Sequence, residues 1–81
     1  QNYPNPFNAV THIRFNVTQR ADVRISIHDL RGGELTVLVN DRIVAGKHKV
    51  MWDASQFPSG LYFCRLDAGE ERVTRKLLLL K

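Results

Sequence analysis

In three separate stretches of this chain apolar and polar residues take strict turns. Across residues 12–17, Ile13, Phe15 and Val17 alternate with His12, Arg14 and Asn16. Across 22–29, Val23, Ile25 and Ile27 alternate with Arg24, Ser26 and His28. Across 47–53, His48, Val50 and Trp52 alternate with Lys47, Lys49 and Met51. Successive side chains of an extended strand point to opposite faces, so a period of two predicts half-buried strands. The Ile, Phe, Val and Trp sets then face a core and the Arg, Lys and Asn sets face water.

Three further strands fill the gaps. Residues 34–39 also match helical spacing through Leu35, Leu38 and Val39, but the stretch is short and lies between strands. Thr36, Val37 and Val39 are β-branched and suit a pleated surface. This is the third strand, with Asn40 and Asp41 turning the chain after it. Residues 61–67 and 72–80 form the last two, joined by a turn at 68–70. Residues 20–22 are short enough for a hairpin or a sharp crossover between sheets, and Gly32 and Gly33 mark the next turn. Residues 53–60 read as a loop in which Asp53 and Ser55 bond local backbone. Pro4 and Pro6 exclude a helix at the front, so residues 1–10 are expected as an extended edge segment after an upstream linker, with Tyr3 and Phe7 against the core. Six strands, seven with that segment, and no convincing helix predict one all-β domain over residues 1–81. Its fold class is an antiparallel β-sandwich.

Size and composition narrow the chemistry. At 81 residues the core is thin, and total stability is about 4 to 12 kcal/mol. Trp52, the single tryptophan, is expected to be its largest block. One cysteine, Cys64, excludes an internal disulfide and reads as a small buried hydrophobe. The longest apolar run, Leu77 to Leu80, is far too short to span a bilayer as a helix. The chain has no starting methionine and no export signal at its front, and is expected to be the end piece of a longer precursor. Net charge is +4, but Arg14, Arg24, Lys47 and Lys49 alternate with apolar residues, which reads as a solvated sheet face rather than a nucleic-acid site. His12, His28 and His48 lack metal-ligand spacing, and no serine, threonine or cysteine lies in a nucleophile motif. No catalytic, metal or cofactor residue is assigned.

Several weak motifs come in one order along the chain: Tyr3-Pro4-Asn5-Pro6-Phe7-Asn8, Thr11 and Ile13, Ala45-Gly46-Lys47-His48, Trp52-Asp53, Ser59-Gly60-Leu61-Tyr62-Phe63 and a terminal KLLLLK. Taken together they resemble the type A C-terminal sorting domain of the type IX (Por) secretion system over the whole length. That resemblance implies an immunoglobulin-like sandwich of about seven short strands, found in Bacteroidetes and their relatives. It implies a non-enzymatic signal that directs an upstream cargo across the outer membrane, passing through the periplasm to the cell surface or beyond. The implied partners are the outer-membrane secretion machinery and a sortase-like peptidase that removes the domain. The resemblance places structural motif positions on Tyr3, Pro4, Asn5, Pro6, Phe7, Gly46, Trp52, Asp53, Gly60 and Tyr62. It places recognition on Lys76, Leu77, Leu78, Leu79, Leu80 and Lys81, whose edge strand and terminal charge suit strand addition to an acidic receptor. Ala9, Gly33 and Cys64 depart from the family pattern at turn and packing positions. The competing reading is a passive immunoglobulin-like spacer or a carbohydrate-binding module with Trp52 or Tyr62 stacking on sugar.

Overall fold

The computed structural model describes residues 10–81, which form six strands. These are β1 (Val10–Val17), β2 (Ala21–His28), β3 (Glu34–Ile43), β4 (Gly46–Asp53), β5 (Gly60–Ala68) and β6 (Glu71–Leu79). Every pairing is antiparallel: β1 and β4 make a two-stranded sheet, and β3, β2, β5 and β6, in that order, make a four-stranded one. The two sheets pack as a sandwich of the expected all-β class. Its seventh expected strand, the opening segment bearing Tyr3, Pro4, Asn5, Pro6 and Phe7, lies outside the described residues.

The core sits where the alternating faces meet. Ile13, Phe15 and Val17 of β1, Val23, Ile25 and Ile27 of β2, Trp52 of β4, Tyr62 and Cys64 of β5 and Leu79 of β6 form one buried cluster. Trp52 is the largest fully buried side chain. Its ring centroid lies 5.3 Å from that of Tyr62, edge to face, and 5.4 Å from that of Phe57. Between β1 and β2 the chain takes the crossover rather than the hairpin, passing from the small sheet to the large one through residues 18–20. Among the described residues only β2–β3 and β5–β6 are hairpins. The first turns on Asp29, whose Oδ1 accepts the N–H groups of Arg31 and Gly33 at 2.9 Å each.

Two expectations need correction. The third strand does not end at Val39: Asn40 and Asp41 lie within β3, which runs to Ile43 because β2 continues to pair with it through Val23–Asp41, Asp22–Arg42 and Ala21–Ile43. Register shifts between Ile25 and Ser26 and between Ile27 and His28 each give β3 one extra residue, Leu38 and Leu35. Such bulges reset the alternation of the strand that carries them. They are why the sequence of β3 also fits a helical spacing. The second correction concerns Ser26 and His28, expected on a solvated face but both buried. β2 is flanked on both sides, and the register sets Ser26 between Val37 and Arg65 and His28 between Glu34 and Phe63. Short polar side chains at the middle of a sheet are covered by longer neighbours. They satisfy each other: Ser26 Oγ and His28 Nε2 are 2.8 Å apart, and His28 Nδ1 donates to the Gly32 carbonyl at 3.2 Å.

Candidate functional site

β6 is an outer strand of the large sheet. It pairs with β5 on one side and has no second strand beside it among the described residues. The β5–β6 register sets Leu77 opposite Tyr62, Leu78 opposite Leu61 and Leu79 opposite Gly60. Directly opposed residues of an antiparallel pair share a face. Leu77 and Leu79 therefore point with Tyr62 into the core, while Leu78 points outward with Leu61. The exposures follow: Leu79 is 5% exposed, Leu78 62% and Leu80 71%. Four identical side chains thus divide into two anchors and two that stand in water. Leu61, itself 44% exposed, extends the outward apolar patch, and Lys76, opposite Phe63, borders it with a charge.

The last residue folds back on the loop between β4 and β5. The Lys81 N–H donates to Ser59 Oγ at 3.0 Å, and its ammonium donates to the carbonyls of Ser55 at 2.8 Å and Phe57 at 2.7 Å. The terminal charge expected to be free for an acidic receptor is engaged by loop carbonyls instead. That loop is itself braced. The Asp53 carboxylate accepts the Ser55 N–H at 3.1 Å. Bonds from the Ser55 side chain and backbone, with the charge of Lys81 nearby, hold its pKa below the ordinary carboxylate value. Phe57 N–H donates to the Ala54 carbonyl at 3.0 Å, and the Tyr62 hydroxyl donates to the Pro58 carbonyl. The Trp52–Phe57–Tyr62 ring cluster therefore supports the platform on which the tail rests.

The remaining motif positions serve backbone and core. Gly46 (φ 132°) and Gly60 (φ 153°) open β4 and β5 in conformations that L side chains rarely adopt. Trp52 and Tyr62 are buried, so neither offers a ring face for sugar. Cys64 is a buried free thiol whose pKa burial pushes up, which opposes thiolate chemistry. The histidines are scattered: His12 is exposed on β1, His28 is buried on β2, and His48 stacks on Phe15 with centroids 5.4 Å apart. Among the described residues no group of three His, Cys, Asp or Glu could hold a metal ion, and no helix is long and apolar enough to cross a membrane. Sequence reasoning missed Leu61 and the Ser55, Phe57 and Ser59 platform. Leu61 was within reach, since a turn centred between Gly69 and Glu70 places it opposite Leu78. Apart from the Ser59 hydroxyl the platform consists of loop carbonyls, which leave no mark on residue type.

A family model described as the secretion system C-terminal sorting domain matches residues 1–80. The chain belongs to this family. It is a type IX sorting domain, and the motif order in the sequence had pointed there. No curated protein and no solved structure matches the chain. Membership makes the domain a C-terminal secretion signal that shares a precursor with an upstream cargo, engages the secretion machinery and serves transit to the cell surface or the extracellular space. The family is a non-catalytic one. The split of the terminal leucines and the docked Lys81 are thus features of a sorting domain.

Proposed function

We propose that this domain carries its cargo from the periplasm across the outer membrane as a folded, non-enzymatic signal, and that a sortase-like peptidase then cuts it away. The machinery reads the final segment from Lys76 to Lys81 in its docked form, through the outward side chains of Leu78 and Leu80 together with Leu61 and Lys76. The observation that carries this reading is the exposure of Leu78 on an outer strand and of Leu80 just past its end. Fully burying a leucine is worth about 1.5 to 3 kcal/mol, and a marginal domain forgoes that twice here. A partner that covers both recovers it, and the backbone edge of β6, which pairs with no second strand among the described residues, supplies register.

The test is a reporter enzyme fused upstream of the chain in a bacterium that carries type IX machinery. The intact fusion reaches the medium, and the N-terminus of any released tail marks the cut. Deleting residues 76–81 leaves the reporter in the periplasm. So does Leu78→Ser with Leu80→Ser, which spares the core. Normal export of the double variant would refute the face named here; normal export of the deletion would refute the signal role of the tail altogether.

A further inference from the structure

The two sheets balance their charges very differently. Every ion pair among the described residues lies in the large sheet: Arg24–Glu34 at 2.7 Å, Arg42–Asp22 at 3.3 Å, Arg65–Asp67 at 3.4 Å and Arg72–Asp67 at 2.6 Å. The two-stranded sheet has none. Its outward face carries Arg14, Lys47 and Lys49 beside His12, Asn16 and Met51. Its only carboxylate is Asp53, at the far end of β4 and already engaged by Ser55. Residues 1–9 contain no Asp or Glu and can supply none.

The register sharpens the imbalance. Arg14 stands directly opposite Lys49, and Lys47 opposite Asn16. Opposed residues are about 5 Å apart across a pair, and alternate residues about 7 Å apart along a strand. Three cations crowd into that space, and like charges directly opposed destabilise a sheet. Arg75 of β6 adds a fourth at the rim of an open depression of about 540 Å³, which Arg14, Lys47 and Lys49 also line, with Phe15 and His48 among its walls. Met51, on the same face of β4 as Lys47 and Lys49, is 60% exposed.

We propose that this face docks on a membrane surface rich in anionic lipid headgroups. Cations beside an exposed apolar side chain match the boundary between headgroups and acyl chains. Phosphate-bearing lipids gather under the strip by lateral diffusion. A rigid acidic protein face would have to hold carboxylates at the same close spacing and bear the mirror repulsion. Each cation near an anionic surface is worth about fivefold in partitioning, so three give about a hundredfold, weakening as salt screens them. The outward faces of the two sheets of a sandwich point in opposite directions, which leaves Leu61, Leu78 and Leu80 free while the basic strip is docked.

Co-sedimentation of the 81-residue chain with vesicles tests this. Binding is expected with phosphatidylglycerol mixed into phosphatidylcholine, not with phosphatidylcholine alone, and is expected to fade with added salt. Lys47→Glu with Lys49→Glu lowers binding by more than about 25-fold. Arg31→Glu with Arg42→Glu, an equal change in net charge away from this strip, leaves it nearly unchanged. Trp52 fluorescence reports that each variant is folded. Equal loss in both double variants, or no preference for anionic vesicles, overturns the proposal. Capture on immobilised poly-L-glutamate through Lys47 and Lys49, with vesicles ignored, also overturns it and marks an acidic protein surface. Export is not read in this assay, so its failure leaves the signal role standing.

Discussion

Truncating the four terminal leucines one at a time separates folding from recognition. Leu79 is 5% exposed in the main core cluster. Buried leucine-to-alanine changes cost about 2 to 5 kcal/mol, and an outer strand that can relax puts Leu79→Ala near the low end, about 2 to 3 kcal/mol. Leu77, partly buried and packed against the core, stands to lose about 1 kcal/mol. Leu78 and Leu80 are mostly exposed and fall within about 0.5 kcal/mol of the parent. Against a total of about 4 to 12 kcal/mol, Leu79→Ala removes a large fraction, equivalent to a melting shift of about 10 to 20 °C. Urea titration followed through Trp52, the single buried tryptophan, measures all four. Reporter export is expected to rank Leu78→Ala and Leu80→Ala as defective despite intact stability. A loss of stability in Leu78→Ala equal to that in Leu79→Ala would refute the β5–β6 register, because a one-residue slip exchanges the inward and outward sets.

Lys81→Met keeps the aliphatic stem but removes both ammonium bonds to the loop; it is expected to accelerate hydrogen exchange at the Lys81 amide while changing global stability by no more than about 1 kcal/mol. Unchanged exchange would count against the latch. Gly60→Ala forces a side chain onto φ 153° and is expected to cost about 1 to 3 kcal/mol by thermal melt; a neutral result would mean that the β5 entry is not strained. Hydrogen bonds from Arg24 and Arg72 hold Glu34 and Asp67 below their ordinary values of 4.5 and 3.8. Depressed pKa values place this stabilisation fully above the ordinary carboxylate range. It is lost as pH falls below that range and through the folded-state values, so a melting curve flat from neutral pH down to that range and falling beneath it is expected. Cys64 should react with a thiol reagent slowly in the native domain and rapidly in urea, as burial raises its pKa; fast native labelling would place it outside the core.

Period-two alternation was sufficient for β1, β2 and β4 because one face of each meets the core, and it assigned Ile13, Phe15, Val17, Val23, Ile25, Ile27 and Trp52 to their buried side. It failed where burial has another origin. Ser26 and His28 are covered by neighbours in their own sheet, which strand order decides and residue type does not. Bulges at Leu35 and Leu38 break the period of β3, and pairing with β2 carries Asn40 and Asp41 into a strand despite their preference for turns.

The terminal run shows the same limit where it matters for function. Four consecutive leucines have no period of their own, so nothing in the run says which of them the core will claim. That is decided by β5, whose Tyr62 and Gly60 face inward positions of β6 and whose Leu61 faces an outward one. On the proposed reading the chemical identity of the signal lies in residues 76–81, and its presentation lies in the β4–β5 loop and in β5, through Ser55, Phe57, Ser59 and the hydroxyl of Tyr62. A free peptide of the same six residues would expose all four leucines and lose the alternation that separates anchors from contacts. It should accordingly be a poor competitor of the folded domain for the secretion machinery.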